Sequence, residues 1–322
     1  VTCLTRAASR TGHLPAGVET VQADLSTGQG LAEALHGKDA VIHMAALLFG
    51  LGWQDYLRAN VLAARSMANA ITSLSREGKL GADFRFVLVS SLAATGPSGT
   101  APGVDDATPP APVSAYGWSK MLTEQVLGRA LGQSLVTLRP PIIYGSGDKG
   151  LLPVFQGVMR ARVAVSPGAG REFPVSAVHA DDMAQAVLCA CRPEACGVYH
   201  LSDGEAYTMS GFCRVMGVAV DKALGRAPRS VRVVRMPLPV MACTAGLSTA
   251  FAVAADAVSR RLLGRGLRRA PAWNLDKYRE ARQAGWLCDN SRICRELGFA
   301  PRVSLEAGMT EAVHGYRREG WL

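Results

Sequence analysis

Short apolar runs alternate with segments of helical periodicity through the first half of this sequence. The runs predicted as strands are Val1–Thr5, Val18–Ala23, Ala40–Ala45, Phe84–Ser90 and Leu135–Leu138. The segments predicted as helices are Gly30–His36, Trp53–Arg76 and Ala115–Leu131. Strands that are apolar throughout and alternate with helices are typical of a parallel sheet covered by helices on both faces. The sequence therefore predicts an α/β fold with a doubly wound parallel sheet.

The pattern changes after Gly145, where predicted strands become fewer and helices dominate. The later helices are predicted at Leu151–Arg162, at Asp181–Cys191 and over Ser304 to about Arg317. The later strands are predicted at Phe173–Val178, Gly197–Leu201 and Ser230–Arg235. This order of elements predicts a sheet domain followed by a smaller, mostly helical cap.

The composition narrows the classes of partner. The chain has 322 residues, of which 48% are hydrophobic and 19% charged, so it can bury a sizeable core and is not disordered. Its net charge of +9 suits an anionic partner, but no zinc-finger spacing or aromatic RNA-binding motif is present, and we expect no nucleic-acid partner. The eight scattered cysteines form no C-x-x-C pair, which predicts free thiols in a cytoplasmic protein and no metal site.

The segment SAYGWSK places Tyr116 and Lys120 on one face of a predicted helix. A phenol with a pKa near ~10 is a poor base at neutral pH, and a nearby ammonium lowers that pKa. Upstream, Ser90 and Ser91 end an apolar strand at the sheet edge where ligands bind. These residues predict a proton-transfer site; a surface Tyr–Lys pair and a strand-to-loop serine cap are the alternatives.

With these residues in their order, the sequence resembles the extended short-chain dehydrogenase/reductases, the NAD-dependent epimerase/dehydratase superfamily. The matching motifs are DAVIHMAA at Asp39–Ala46, ANVLAA around Asn60, the Ser91–Tyr116–Lys120 set, RPPIIYGSGD at Arg139–Asp148 and VHADD at Val178–Asp182. The resemblance implies a Rossmann-type sheet domain that binds a dinucleotide, over residues 1–147 and 173–203, without its first strand. It implies a substrate-binding cap over 148–172 and 204–322.

The resemblance also implies roles for the site residues. Tyr116 would be the general acid/base, and Lys120 would bind the nicotinamide ribose and lower the pKa of Tyr116. Ser91 would polarise the substrate oxygen, and Asn60 would belong to a hydrogen-bond relay behind the lysine. The cofactor-binding residues that it implies, in addition to Tyr116 and Lys120, are Arg6, Asp24, Leu25, Ala45, Ala46, Pro140 and Pro141.

Two departures from the family pattern concern the cofactor. Thr5 and Arg6 stand where the family usually has an acidic residue that holds the NAD ribose. Arginine suits a 2′-phosphate, so NADP is favoured over NAD unless Arg6 points to solvent. The glycine-rich phosphate-binding turn of the family is absent, and we expect it, with an apolar strand, upstream of Val1. A protein that begins at Val1 would then bind NADP weakly.

The second half resembles the 3β-hydroxysteroid dehydrogenase-like branch in SSLAATGP, in the PLP of Pro237–Pro239 and in ELGFAP at Glu296–Pro301. This implies an NAD(P)-dependent oxidoreductase acting on a secondary alcohol or ketone, with a sterol- or lipid-like small-molecule substrate. The alternatives are a nucleotide-sugar epimerase or dehydratase that recycles its NAD, and a non-catalytic cofactor-binding scaffold. A homodimer is among the expected assemblies.

No charged residue occurs from Met236 to Ala255, and Arg260, Arg261 and Arg265 follow. This stretch predicts either a peripheral membrane contact through 236–265, an apolar substrate lid or a helix packed in the cap. Its prolines argue against a membrane-spanning helix. His43 and His179 have no partner at ligand spacing, and we expect both to be structural.

Overall fold

The computed structural model describes residues 1–6, 9, 11–12, 14–168, 171–264, 266 and 270–322. Its strands are β1 (Thr2–Thr5), β2 (Glu19–Gln22), β3 (Ala40–His43), β4 (Arg85–Val89), β5 (Leu135–Arg139), β6 (Ile142–Tyr144), β7 (Val163–Pro167), β8 (Pro174–Val175), β9 (Ala177–His179), β10 (Gly197–His200), β11 (Tyr207–Thr208) and β12 (Arg232–Met236).

Its α-helices are α1 (Leu31–Leu35), α2 (Trp53–Tyr56), α3 (Ala63–Arg76), α4 (Ala115–Leu131), α5 (Leu152–Ala161), α6 (Ala180–Ala190), α7 (Met209–Ala223), α8 (Leu238–Leu263), α9 (Leu275–Ala281), α10 (Ser291–Leu297) and α11 (Leu305–Arg318). A π-helical turn, Leu57–Leu62, joins α2 to α3, and two short 3₁₀ helices cover Leu92–Ala94 and Gly132–Ser134.

Four parallel strands form the central sheet in the order β10-β5-β4-β3. The non-sequential order and the helices between the strands confirm the predicted α/β fold. The parallel pair β1-β2 is a separate sheet within the described residues. Two further parallel pairs, β6-β9 and β7-β12, and the antiparallel pair β8-β11 complete the sheets.

The side chains of β4 explain why this sheet is covered on both faces. Phe86 and Leu88 are fully buried on one face, where they pack with Met67 of α3. Val87 points to the other face and packs with Met183 of α6. Since successive side chains of a strand alternate between faces, an apolar run such as FVLV needs a helical layer on each side. Each such burial stabilises the fold by about 1.5–3 kcal/mol.

Several predicted elements have different bounds in the structure. The strand predicted at Phe173–Val178 is divided into β8 and β9, because the amide of Ser176 between them donates to the carbonyl of Trp286 at 2.8 Å. The helix predicted at Trp53–Arg76 contains the π-helical turn, and the strand predicted at Ser230–Arg235 lies at Arg232–Met236. Long-range contacts of this kind have no signal in local periodicity.

The second half of the chain has a core of its own around α5, α7 and α11. Its largest fully buried side chains include Phe155, Phe212 and Tyr316. The strands β7 and β12 pair beside this core. The division of the chain into a sheet domain and a cap at residues 148 and 204 stays a prediction. Of the arginines that follow the uncharged stretch, Arg265 lies outside the described residues.

Candidate active site

A cavity of about 400 Å³ opens at the carboxyl ends of β4 and β5. It contains four of the predicted site residues, Ser91, Tyr116, Pro140 and Pro141. The rest of its wall consists of Leu48, Ser90, Ile143, Tyr144, Gly145, Ser146, Asp148 and Ala180. We call it the catalytic cavity. The structure therefore brings together a serine and a tyrosine that are separated in the sequence by a strand-to-helix connection.

Hydrogen bonds at the start of α4 position Tyr116. Ser114 is the N-cap of the helix, and its Oγ accepts from the amide of Gly117 at 3.0 Å. The carboxylate of Asp276 accepts from the amides of Ala115 at 2.6 Å and Tyr116 at 3.1 Å. A carboxylate at a helix N-terminus satisfies free amides and interacts favourably with the helix dipole. Helix α9, which carries Asp276, thus holds the first turn of the helix that carries Tyr116.

Two neighbours act on the hydroxyl of Tyr116. Burial raises the pKa of Tyr116, while the charge of Lys277 and a hydrogen bond with the Ser91 side chain act to lower it. The Nζ of Lys277 lies 4.6 Å from the centroid of the Tyr116 ring and 2.9 Å from Glu280 Oε2. Burial alone would lower the pKa of Lys277, but Glu280, Tyr116 and Asp276 together raise it above its ordinary value. Lys277 is therefore held as an ammonium beside the tyrosine.

Lys120 lies on α4 one turn after Tyr116, as the spacing predicts. Its Nζ donates to the carbonyl of Val89 at 2.7 Å, and the residue is buried. Burial lowers the pKa of Lys120 to about 8, although the nearby Glu124 carboxylate opposes that shift. Within the described residues no hydrogen bond joins Lys120 to Tyr116. The ammonium that contacts the tyrosine ring is Lys277, which the sequence did not indicate.

The two serines after β4 have different environments. Ser90 Oγ donates to Glu124 Oε1, and Arg139 holds the same carboxylate with a contact of 2.6 Å from Nη2 to Oε2. Ser90 thus belongs to a buried polar network. Ser91 Oγ accepts from the amide of Ala93 at 3.2 Å and caps the short 3₁₀ helix. Ser91 is therefore a cap, as the alternative interpretation of the sequence predicted. The same hydroxyl also acts to lower the pKa of Tyr116.

Asn60 lies in the π-helical turn and is buried. Its Oδ1 accepts from the amide of Leu47 at 2.7 Å, and its Nδ2 donates to Ser119 Oγ at 2.9 Å. The side chain thus ties the loop after β3 to α4 at the residue before Lys120. The predicted relay from Asn60 to Lys120 itself stays a prediction, since its contact is with Ser119.

A second cavity, of about 550 Å³, lies at the ends of β1, β2 and β3. It contains five further predicted cofactor residues: Arg6, Asp24, Leu25, Ala45 and Ala46. We call it the cofactor cavity. Lys120 borders neither cavity. Asp24 Oδ1 accepts from the amide and the hydroxyl of Ser26, at 2.7 and 2.6 Å, and these bonds lower the pKa of Asp24. An ionised carboxylate and a guanidinium therefore share one concave surface.

Both histidines singled out in the sequence are buried. Burial, aided by the charge of Lys120, lowers the pKa of His43 to about 4, so its ring is neutral at pH 7. His179 Nδ1 accepts from the amide of Asp181 at 3.3 Å, and its Nε2 lies 3.3 Å from Glu311 Oε2. This Nε2 is buried and has no hydrogen-bond partner among the described residues. His179, Asp181 and Glu311 thus form a cluster whose ligand atoms lie within 4.8 Å of one another, and the expectation of no metal site stays a prediction.

The sequence model of the NAD dependent epimerase/dehydratase family matches residues 1–200, which is more than half of the chain. The chain belongs to this family. It is therefore an enzyme of an NAD-dependent oxidoreductase and epimerase family, and the non-catalytic scaffold was the wrong alternative.

Relatives of this epimerase/dehydratase family member include reductases. The chain is 32% identical over 308 residues to a ceramide reductase of Caulobacter vibrioides, covering 95% of this chain and 82% of the relative. It is 26% identical over 313 residues to a 2-alkyl-3-oxoalkanoate reductase of Shewanella oneidensis, covering 91% of this chain and 74% of the relative. The Bordetella bronchiseptica enzyme WbmG, solved in complex with NAD and UDP, has a TM-score of 0.68 at 17% identity over 99% of this chain and 87% of that one. The last comparison confirms the Rossmann-type fold.

The two cavities fit the NAD of this family. Arg6 and the ionised Asp24 border one cavity, where they would offer a cation and an acceptor to the adenosine end of such a cofactor. Pro140 and Pro141 line the catalytic cavity, where their rings present no backbone donor. Leu47 borders the cofactor cavity and Leu48 the catalytic cavity, so the loop after β3 links the two.

Proposed function

We propose that this enzyme interconverts the keto group and the secondary alcohol of a long-chain, ceramide-like lipid. The observation that carries the proposal is the meeting of Ser91 and Tyr116 in the catalytic cavity, with the ammonium of Lys277 beside the tyrosine. A hydroxyl pair of this kind can hold one substrate oxygen and exchange one proton with it.

The chain's own residues supply the proton chemistry. In reduction, Tyr116 would give its proton to the keto oxygen as that oxygen becomes an alkoxide, and Ser91 would donate a hydrogen bond to the same oxygen. Lys277 would stabilise the phenolate that is left on Tyr116. In oxidation, the phenolate would take the proton back. NAD(P), when bound, supplies the hydride transfer at the substrate carbon.

The lipid-like substrate is supported by the relatives and by the cavity wall. The names of the two reductases refer to a ceramide and to an alkylated oxoalkanoate, which both carry alkyl chains. The catalytic cavity offers Leu48, Ile143 and Pro141 to such a chain. The polar residues of its wall are Ser90, Ser91, Tyr116, Tyr144, Ser146 and Asp148. A wall with both kinds of residue suits a substrate that has a polar head and an apolar chain.

NADP is our proposed cofactor. Arg6 borders the cofactor cavity, and a guanidinium binds a 2′-phosphate with charge-assisted hydrogen bonds. The family itself is described as NAD dependent, so the choice between the two cofactors depends on this one side chain.

One assay separates the proposal from a nucleotide-sugar epimerase. The purified full chain is incubated with NADPH or NADH and either a detergent-dispersed 3-keto lipid or a UDP-sugar, and reduced-cofactor absorbance and product mass are followed. We expect one alcohol formed per cofactor oxidised with the keto lipid. Epimerised UDP-sugar without net cofactor consumption, and no turnover of the keto lipid, would overturn the proposal.

A further inference from the structure

Helix α8 is the longest helix of the described chain, with 26 residues from Leu238 to Leu263. By length and composition alone it could cross a membrane. One face of it packs on the protein, where Met241, Ala245 and Ala252 are buried. Most of the other side chains of α8 are exposed. The prediction of a helix packed inside the cap is therefore not what the structure shows.

The exposed face is apolar along its whole length. Val240, Leu247, Phe251, Val258 and Leu262 follow one another at steps of seven and four residues, which align side chains on one stripe of an α-helix. We call these residues the α8 stripe. Leu247 is 68%, Phe251 78% and Leu262 75% exposed. A contiguous apolar surface of this kind marks an interaction site in a folded protein.

Polar contacts keep α8 against the body of the protein. Ser248 Oγ donates to the carbonyl of Trp273 at 2.7 Å, and the Trp273 indole donates to Thr244 Oγ1 at 3.1 Å. The amide of Leu275 donates to Thr249 Oγ1 at 2.9 Å. These bonds lie at the middle of the helix, where a spanning helix would be surrounded by hydrocarbon. The helix is therefore built to lie on a surface, with one face on the protein and one face free for a partner.

Exposed arginines indicate which partner the α8 stripe binds. Arg232, near the start of the strand that leads into α8, and Arg261, in the last turn of the helix, are both exposed. If two copies of α8 met along the stripe, a parallel pairing would place Arg261 against Arg261. An anionic surface, by contrast, is attracted to the exposed Arg261 at the end of the helix and to the net charge of +9, with about 1 kcal/mol gained for each arginine near it.

We infer that the α8 stripe docks on the surface of an anionic lipid bilayer, with α8 parallel to the membrane. Asp256 and Arg260 of α8 border a cavity of about 230 Å³ together with Leu47 and Arg58, and the last two also border the cofactor cavity. Docking would thus bring the site close to the membrane. The idea that docking helps to collect a lipid substrate rests on the proposed function. The docking itself does not.

The test uses the full chain and vesicles of phosphatidylglycerol and phosphatidylcholine, with pure phosphatidylcholine vesicles for comparison. We expect co-sedimentation with the anionic vesicles that weakens as salt is raised, because salt screens the arginines. The double variant Leu247→Ser/Phe251→Ser should bind at least ten-fold more weakly, since two exposed apolar side chains no longer enter the bilayer. Leu188→Ser on α6, which removes a side chain that is 59% exposed elsewhere, is the matched control and should bind like the wild type.

Three results would overturn the inference. The wild type could stay in the supernatant of anionic vesicles at low salt, or the double variant could bind as well as the wild type. The third is a dimer, found by sedimentation, that the double variant dissociates while neither protein binds vesicles. Turnover of the detergent-dispersed 3-keto lipid is measured in parallel, without vesicles. If that turnover is absent while vesicle binding persists, the proposed function fails and the docking stands.

Discussion

The Nζ of Lys277 lies 4.6 Å from the centroid of the Tyr116 ring. The resemblance to the family assigns the pKa-lowering ammonium to Lys120, yet the Nζ of Lys120 donates to the Val89 carbonyl and Lys277 is the cation that acts on the tyrosine. The cation beside the tyrosine is therefore a different lysine from the one that the resemblance implies. Lys120 lies deep beside β4, and Lys277 comes from α9 in the second half of the chain.

Lys277→Met should raise the pKa of Tyr116, because the opposing burial effect would remain without the ammonium. In the direction of alcohol oxidation the tyrosine must be a phenolate, so the acidic limb of the pH profile should move to higher pH. We expect a shift of about one unit, equivalent to ~1.4 kcal/mol, in the profile of kcat/KM.

Lys277→Arg keeps the charge and is the control for this experiment. Its profile should lie close to that of the wild type, even if its kcat is lower. A Lys277→Met enzyme whose profile coincides with that of the wild type, while its KM rises, would show that Lys277 only contacts substrate or supports α9.

Tyr116→Phe should lower kcat by at least about 10²-fold, the usual contribution of an acid/base group. The ring and its packing beside Tyr56 remain, at a centroid distance of 6.2 Å, so the fold should be unchanged. Tyr316→Phe makes the same chemical change in the core of the second half, where the hydroxyl is buried without a hydrogen-bond partner among the described residues. Turnover of Tyr116→Phe within a few-fold of Tyr316→Phe would remove Tyr116 from the reaction.

The features that could be predicted from the sequence are those that depend on local patterns of residues. Continuous apolar runs predicted β3, β4 and β5, and the carboxyl end of β4 is where Ser91 meets Tyr116. The position of Lys277 could not be predicted in this way. Its neighbour Asp276 binds the amide of Tyr116 across 160 residues of sequence. No periodicity records such a contact, and the family motifs that carried the resemblance contain no residue of α9.

The exposed stripe of α8 is a second feature that could not be predicted from the sequence. The absence of charge from Met236 to Ala255 is visible in the sequence, but it is equally consistent with a buried helix. The outcome depends on how much surface the rest of the protein offers to that helix. Here Trp273 and Leu275, just before and at the start of α9, bond to one face through Thr244, Ser248 and Thr249, and the opposite face has no such cover in the described chain.

Arg6→Asp should change the choice of cofactor. Removing a charge-assisted contact to a 2′-phosphate weakens binding by about 1.5–3 kcal/mol, and the new carboxylate repels that phosphate. We therefore expect the ratio of Kd for NADP to Kd for NAD to rise at least ten-fold, measured by titration of the same preparation with both cofactors. Arg58→Asp, a second arginine in the wall of the cofactor cavity, tests whether any loss of positive charge there has this effect. Equal ratios for the wild type and Arg6→Asp would show that Arg6 does not contact the phosphate.

His43 should make the stability of the protein depend on pH. Its ring is buried against Phe86, with centroids 5.8 Å apart, and its pKa is lowered from 6.5 to about 4. Between these two values the unfolded chain binds more protons than the folded chain, so the free energy of unfolding rises with pH over this window. On acidification from pH 6.5 to 4 the folded state should lose up to about 3 kcal/mol from this one group.

Urea unfolding at several pH values measures the effect, and the difference between the wild type and His43→Leu isolates it from all other titrations. The exposed His314, replaced by Gln, serves as the control, and its curve should follow that of the wild type. If the curves of the wild type and His43→Leu run parallel from pH 7.5 to 4, then the folded protein accommodates a protonated His43, and burial does not hold the ring neutral.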